Sequence, residues 1–275
     1  MKAPSARKLP TRMVDKVWGR DALPTPFATP RDKRIGEIWF EPPPELPQLL
    51  VKYLFTSEKL SVQVHPSDAQ AKGEERGKEE CWLVLDAEPG AKLAIGFERD
   101  HAKEEIAAAA LDGSIETLLK WHEARAGDTF YLPAGTVHAI GPGLSLVEVQ
   151  QASDTTFRLY DYGRPRELHL DRALAVADCG RYDCELAGHA LDDRESLIEG
   201  PYFRMDRAYG EPSEELRQLY AGALLALPLE GRLRAGSIAA KAGECLFAPH
   251  IDALDFREAG SVLLTRPIRA RRRRA

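Results

Sequence analysis

Apolar and polar positions alternate at short range along much of the chain, the period-two signature of β-strands. Residues 35–40 (IGEIWF), 49–55, 61–65 (SVQVH), 81–85 and 91–97 (AKLAIGF) read as successive strands. The four-proline loop 41–47 and the Pro89-Gly90 turn punctuate them. Strand texture returns at 128–132, 145–151 and 155–160. From residue 218 onward short apolar runs are separated by Glu230-Gly231, Ala235-Gly236 and Ala242-Gly243, a spacing that predicts a sandwich or a barrel. Residues 98–123 instead carry helix formers at helical spacing, broken at Asp112-Gly113, and predict two short inserted helices. One more helix is predicted over 168–177, while 179–215 has no clear pattern. Residues 1–34, rich in proline and charge, read as an arm laid over a sheet.

Two of the β segments share an order of residues. Gly127-Asp128-Thr129-Phe130-Tyr131-Leu132-Pro133 runs parallel to Gly243-Glu244-Cys245-Leu246-Phe247-Ala248-Pro249: glycine, acid, four mostly apolar residues, proline. The first copy continues to His138; the second has His250 at once and no histidine in the matching place. This predicts an internal repeat with one copy that bears a site and one that kept only the fold.

The stretch with most chemical content is 61–82, SVQVHPSDAQAKGEERGKEECW. Gln63 and His65, two apart on a strand, share a face. Glu80 leads directly into the apolar run CWLVL, where an unpaired carboxylate is costly and a cation relieves the cost. Gln, His and Glu on neighbouring strands offer one nitrogen and two oxygens to a divalent metal, and His138 is available as a fourth ligand. Alternation sends Glu79 to the opposite face, toward solvent, and Cys81 away from the metal. The histidines at 101, 122, 169, 189 and 250 lack such company and read as structural or surface residues.

These segments carry a family pattern. Gly127-x5-Pro133-x-Gly135-x2-His138 resembles the second cupin motif, and Gln63-x-His65, Glu80 and Gly90 resemble the first. QVHPSD (63–68), GKEECW (77–82), PAGTVHAIG (133–141) and EVQQASDTTFRLYDYGR (148–164) resemble type I mannose-6-phosphate isomerases in their short bacterial form. The resemblance spans roughly residues 18–171. It implies a mainly β chain of two cupin (jelly-roll) barrels with a short helical insertion. Residues 1–177 would form the metal-bearing domain with its insertion at 98–123, residues 178–268 a degenerate cupin, and 269–275 an arginine-rich tail. It further implies Zn2+ on Gln63, His65, Glu80 and His138, with Lys78, Glu148 and Arg158 as catalytic residues. The implied reaction interconverts mannose 6-phosphate and fructose 6-phosphate through a cis-enediol. Glu148 would carry the proton, and Arg158 and Lys78 would supply positive potential for oxyanion and phosphate. Two departures stand out: relatives read Lys-Thr-Glu where this chain has Lys78-Glu79-Glu80, and longer relatives have tyrosine where this chain has Ile140. Two rival classes remain, a non-catalytic sugar-phosphate-binding cupin and another metal-dependent cupin enzyme such as a dioxygenase.

Charge and composition narrow the picture further. The formal net charge of −5 hides five arginines in the last seven residues, so the rest of the chain carries −10. An acidic body argues against a general nucleic-acid surface, and the arginine tail reads as a solvated terminus. Four cysteines without a CxxC pair fit a reducing compartment, and no apolar run reaches the length of a membrane span. The expectation is a cytoplasmic protein acting on a small sugar phosphate, with neither nucleic acid nor membrane as partner.

Overall fold

Because alternation gives each strand one apolar face, the strands must stack as layers with those faces turned together. A computed structural model describes residues 4–183 and 196–268; Cys184, His189, Arg269 and Arg271 to Arg274 lie outside them. In chain order the first strands are β1 (Arg7–Lys8), β2 (Thr11–Arg20), β3 (Ile35–Phe40), β4 (Leu49–Phe55), β5 (Val62–Val64), β6 (Glu80–Ala87) and β7 (Lys92–Phe97). Then come helix α1 (Lys103–Asp112), β8 (Leu119–Glu123), β9 (Thr129–Leu132), β10 (His138–Ile140), β11 (Leu144–Gln151), β12 (Phe157–Tyr160) and α2 (Leu170–Val176). The second half contributes β13 (Ser196–Glu199), β14 (Phe203–Tyr209), α3 (Glu214–Leu219), β15 (Leu224–Ala235), β16 (Ile238–Lys241), β17 (Leu246–Ala248) and β18 (Ala259–Pro267).

These strands form three antiparallel sheets: β2-β3-β4-β11-β6-β9, β12-β5-β10-β7-β8, and β1-β17-β15-β18-β14-β13 with β16 attached to β15. The first two face each other as a jelly-roll barrel around Leu54, Trp82, Ile95, Phe130 and Leu146. Helices α1 and α2 cover the outside of the five-stranded sheet through Ile106, Ala110 and Ala173. On its other face the six-stranded sheet packs Tyr53, Val147 and Val149 against Met205, Leu225 and Leu263 of the third sheet. That third sheet curls around Tyr220, Leu224, Leu246, Phe256 and Leu264 to make the second barrel. Each fully buried side chain of this size contributes about 1.5–3 kcal/mol of apolar transfer. The architecture is mainly β, two cupin barrels with a short helical insertion. No helix among the described residues is long and apolar enough to cross a membrane.

Two expectations need correction. Only the first half of 98–123 is an α-helix; Ser114–Thr117 is a 3-10 turn, and Leu119–Glu123 is strand β8, paired with β7. The LLKWHE segment has helix formers, but β7 offers it an open edge, and tertiary pairing overrides weak propensity. The N-terminal residues are not an arm but strands: β2 pairs with β3, and β1 pairs with β17. The charges of β2 sit outward because it is an edge strand, where both faces can be wet.

The repeated Gly-x5-Pro segments fold alike. In Arg125-Ala126-Gly127-Asp128 the Asp128 amide donates to the Arg125 carbonyl (3.0 Å), and the Asp128 carboxylate accepts from the Arg125 amide (2.8 Å). In Lys241-Ala242-Gly243-Glu244 both bonds recur, each at 3.0 Å. Gly127 and Gly243 stand at φ of 94° and 88°, the conformation that the third position of such a turn requires.

Candidate metal centre

The site lies between the two sheets of the first barrel, and the strand register builds it. In the five-stranded sheet Gln63 is directly opposite His138 on one side and Arg158 on the other. In the six-stranded sheet Glu148 is opposite Lys52 on one side and Trp82 on the other, and Gln150 is opposite Glu80. Cross-strand partners share a face, so both rows project into the barrel. His65 follows β5 and Lys78 precedes β6, each at the end of a strand that already holds a site residue.

Four residues expected to bind metal converge. Ligand atoms of His65, Glu80 and His138 all lie within 4.8 Å of one another. Glu80 Oε2 is 3.5 Å from His65 Nε2, and Glu80 Oε1 is 3.4 Å from His138 Nε2. Ligands at the corners of a tetrahedron with bonds of about 2.05 Å stand roughly 3.3 Å apart, so each Glu80 oxygen already stands from its imidazole at nearly the spacing that zinc requires. Both imidazoles are oriented by backbone carbonyls: His65 Nδ1 donates to Thr155 O (2.8 Å) and His138 Nδ1 to Thr136 O (2.9 Å). That fixes the tautomer and turns each Nε2 lone pair inward, the arrangement typical of metal-binding histidines. Burial, reinforced by the Lys78 charge, drives the His65 pKa well below its usual value. Burial also lowers His138 to about 4, so both rings are neutral near pH 7. Gln63 Nε2 stands 3.2 Å from His138 Nε2, and Ser61 Oγ donates to Gln63 Oε1 (3.1 Å). A flip of this amide presents its oxygen to the same point, because a hydroxyl serves either end.

Glu80 is the decisive residue for the fit. It is 1 % exposed, and its Oε1 has no hydrogen-bond partner among the described residues. Burial, aided by the nearby Glu148 charge, pushes its pKa up to about 7. A buried carboxylate oxygen left open beside two neutral imidazoles is a donor set that a divalent cation completes.

Around this set run alternating charges. Lys78 Nζ contacts Glu80 Oε2, lies 3.0 Å from His65 Nε2 and 3.6 Å from Glu148 Oε1. Glu148 pairs with Lys52 (2.8 Å) and accepts from Trp82 Nε1 (3.0 Å). Burial alone would raise the Glu148 pKa, but the Lys52 and Lys78 ammoniums overcome it and hold the carboxyl at about 2. Burial opposes the Lys52 charge, yet Glu148 and Glu37 keep its pKa above the ordinary value. Sequence reasoning missed Lys52 and Glu37. A lysine within LLVKYLF looks like an outward residue, and only its register against Glu148 reveals otherwise. Arg158 is half-buried, lines the same cleft, and its Nε is buried without a hydrogen-bond partner among the described residues.

Glu79 does not face solvent. It is 9 % exposed, its carboxylate accepts from the Tyr131 hydroxyl, and burial raises its pKa. The packing of the third sheet against this face closes what a lone barrel would leave open. Cys81 does point away, toward Met205. Of the other histidines, His101 pairs with Glu105 (3.0 Å), and His169 Nδ1 accepts from the Arg158 amide (3.2 Å).

A mannose-6-phosphate isomerase of Streptococcus mutans is 36% identical to this chain over 216 residues, which is 74% of the chain and 68% of that relative. The chain belongs to the mannose-6-phosphate isomerase family. A second member of that family, from Bacillus subtilis, is 37% identical over 202 residues, covering 68% of the chain and 64% of the relative. No family model matches the chain. Among solved structures, the Bacillus subtilis mannose 6-phosphate isomerase superposes with a TM-score of 0.78 at 24% identity, over 96% of this chain and all of that one. A zinc-bound mannose 6-phosphate isomerase superposes at 0.67 with 15% identity, over 96% of this chain and all of that one. These two likenesses speak to the fold, which is that of the family.

Proposed function

We propose that the protein is a zinc-dependent isomerase that interconverts mannose 6-phosphate and fructose 6-phosphate through a cis-enediol. The observation that carries this reading is the open Glu80 Oε1 beside two inward, neutral Nε2 atoms, in a cleft that also holds Arg158. Gln63, His65, Glu80 and His138 would hold the metal. Zinc bound there supplies a Lewis acid that polarises the sugar's carbonyl oxygen and adjacent hydroxyl.

The chain's own residues supply the rest. Glu148 takes the proton from C2 of the aldose and returns it at C1, while the hydroxyl proton passes from O2 to O1 across the enediol. Its low pKa keeps it ionised at working pH, and Lys52 and Trp82 fix its two oxygens. That low pKa also makes it a weak base, so the step depends on a C2–H strongly acidified by carbonyl polarisation. Lys78 now shares its charge with both Glu80 and His65. The His65 lone pair cannot serve both an ammonium and a metal, so with a metal held there the Lys78 ammonium would be released to face the substrate. Arg158, planar and without a hydrogen-bond partner on Nε among the described residues, stabilises negative oxygen in the same cleft. We take residues 1–177 as the catalytic unit and 178–268 as a second barrel that supports it.

A coupled assay for fructose 6-phosphate from mannose 6-phosphate, run with and without chelator and with zinc restored, tests the reading. Turnover lost to chelator and regained with zinc is the expected outcome. Oxygen consumption with bound iron would replace the isomerase with a dioxygenase. Ligand binding that survives Glu148→Gln, with turnover never seen in the parent, would leave a binding protein.

A further inference from the structure

Where the two barrels meet, each strand sends alternate residues into one shared layer. At one end of that layer the rows are filled, with Val149, Cys81, Met205 and Leu225 all buried in a single core. Further along the same rows stand Ser145 on β11, Leu85 on β6, Arg207 on β14 and Leu229 on β15. Serine and a charged arginine do not close the layer as valine and methionine do, and a cavity of about 520 Å³ opens there. That is the size of a small-molecule site. The turns Ala126-Gly127 and Ala242-Gly243 of the two repeated segments both border it. Tyr53, Leu83 and Ser145 line it from the opposite face of the sheet to Lys52, Trp82 and Glu148, so that sheet divides the cavity from the metal centre.

The wall is aromatic. Phe27, from the loop between β2 and β3, stands edge-on to Tyr53 (4.8 Å between ring centroids) and to Phe55 (5.2 Å), and all three border the space. The polar groups are few and underused. Ser145 is 2 % exposed, and its Oγ has no hydrogen-bond partner among the described residues. Arg207 donates from Nε to Ser261 Oγ (2.7 Å), and its guanidinium lies 4.6 Å from the centre of the Tyr209 ring. Held from behind in this way, the guanidinium pairs with no acid among the described residues, and its two Nη groups are left for another acceptor. Asp86 and Glu230, both exposed, stand at the rim.

We propose that this cavity between the barrels binds a small aromatic monocarboxylate, its ring against Phe27, Tyr53 and Phe55 and its carboxylate on Arg207. Aromatic rings favour edge-to-face and offset contacts with one another, and three are already gathered on one wall. A single guanidinium fork matches a single carboxylate, and the buried Ser145 hydroxyl gains an acceptor in the ligand. The two rim acids oppose any second negative charge, which sets this ligand apart from a sugar phosphate dianion. The site stands whether or not the first barrel isomerises sugars.

The test is calorimetric titration of 2-naphthoate into the zinc-loaded full chain, with neutral 2-naphthylmethanol as the uncharged counterpart. The parent should bind naphthoate saturably with a Kd of about 1 mM or tighter, the range open to so small a ligand. Arg207→Gln should weaken naphthoate ~10-fold, the loss expected for a charged hydrogen-bond partner, and leave naphthylmethanol nearly unchanged. Leu229→Trp, which fills the cavity, should abolish binding of both, with zinc content and circular dichroism as in the parent. A parent that shows no saturable naphthoate binding overturns the proposal. So does a folded Leu229→Trp chain with parental naphthoate affinity, since the ligand then sits elsewhere, and so does an Arg207→Gln chain that keeps that affinity. If Arg207→Gln fails to fold, Arg207→Lys decides: it keeps the charge and loses the fork, so naphthoate should weaken ~3-fold, and parental affinity overturns the proposal.

Discussion

Each barrel buries a carboxylate, and the two are treated in opposite ways. In the second barrel Asp206, fully buried, accepts from Arg204 Nε (2.6 Å) and Nη2 (2.9 Å) and from the Tyr220 hydroxyl (2.6 Å). In the first barrel Glu80, just as buried, has one oxygen against Lys78 and the other without a hydrogen-bond partner among the described residues. The cost of burying a charge is met within the protein at Asp206 and left open at Glu80. The repeated turns show the same divergence on a shared frame. After Pro133 the chain runs on to His138 inside the barrel; after Pro249 it goes into the short 3-10 turn Ile251–Ala253, and the interior is filled by Leu246, Ala248 and Phe256. A barrel becomes a site where its lattice of bonds is deliberately incomplete.

The largest effect is expected from breaking the open set. His138→Ala should remove the zinc and cut kcat/KM by ~10³-fold or more, while circular dichroism still reports the β fold. Retention of full activity by a metal-free variant would end the metal reading. On the other side of the comparison, Asp206→Ala strands the buried Arg204. It should cost about 3–5 kcal/mol in denaturant unfolding, yet leave the zinc bound per folded chain unchanged. Loss of zinc in that variant would mean that the two barrels are not separable in role. Arg158→Ala should lower kcat/KM by ~10²-fold with zinc still bound, and an unchanged value would take Arg158 out of the site.

The smallest effect concerns pH. Glu148 is held at about 2, below the ordinary carboxyl value of 4.5, so its pairing stabilises the fold fully above pH 4.5. That contribution is lost as pH falls from 4.5 toward 2. Lys52→Met removes the strongest cause of the depression and leaves burial opposed only by Lys78 and Trp82. The loss of stability between pH 4.5 and 2 should therefore shrink. Unfolding curves measured between pH 2 and 7 for parent and variant check this; parallel curves would show that Lys52 does not govern Glu148.

Much of this was legible in the chain. Apolar runs and alternation located β3, β4, β5, β7 and β11 almost to the residue, because each is buried on one face or, in β4 and β11, on both. Gln63, His65, Glu80 and His138 could be gathered because their motifs carry the strands that bring them together. What escaped depends on partners distant in sequence. Lys52 and Glu37 look like solvent-facing charges until β4 is laid against β11 and β3. Glu79 was sent to water because the sequence of one barrel says nothing of the sheet packed behind it. Strand β8 was read as helix because LKWHE owes its conformation to the edge of β7, not to its own residues.

Strand β1 carries a consequence for synthesis. Arg7 and Lys8 pair with Phe247 and Leu246, and the Leu9 amide donates to the Cys245 carbonyl (2.9 Å). Those partners leave the ribosome some 240 residues after β1, so this strand must wait for its partner while everything between them is made. Closing so long a loop is entropically costly, and the docking of β1 onto β17 would come late in folding.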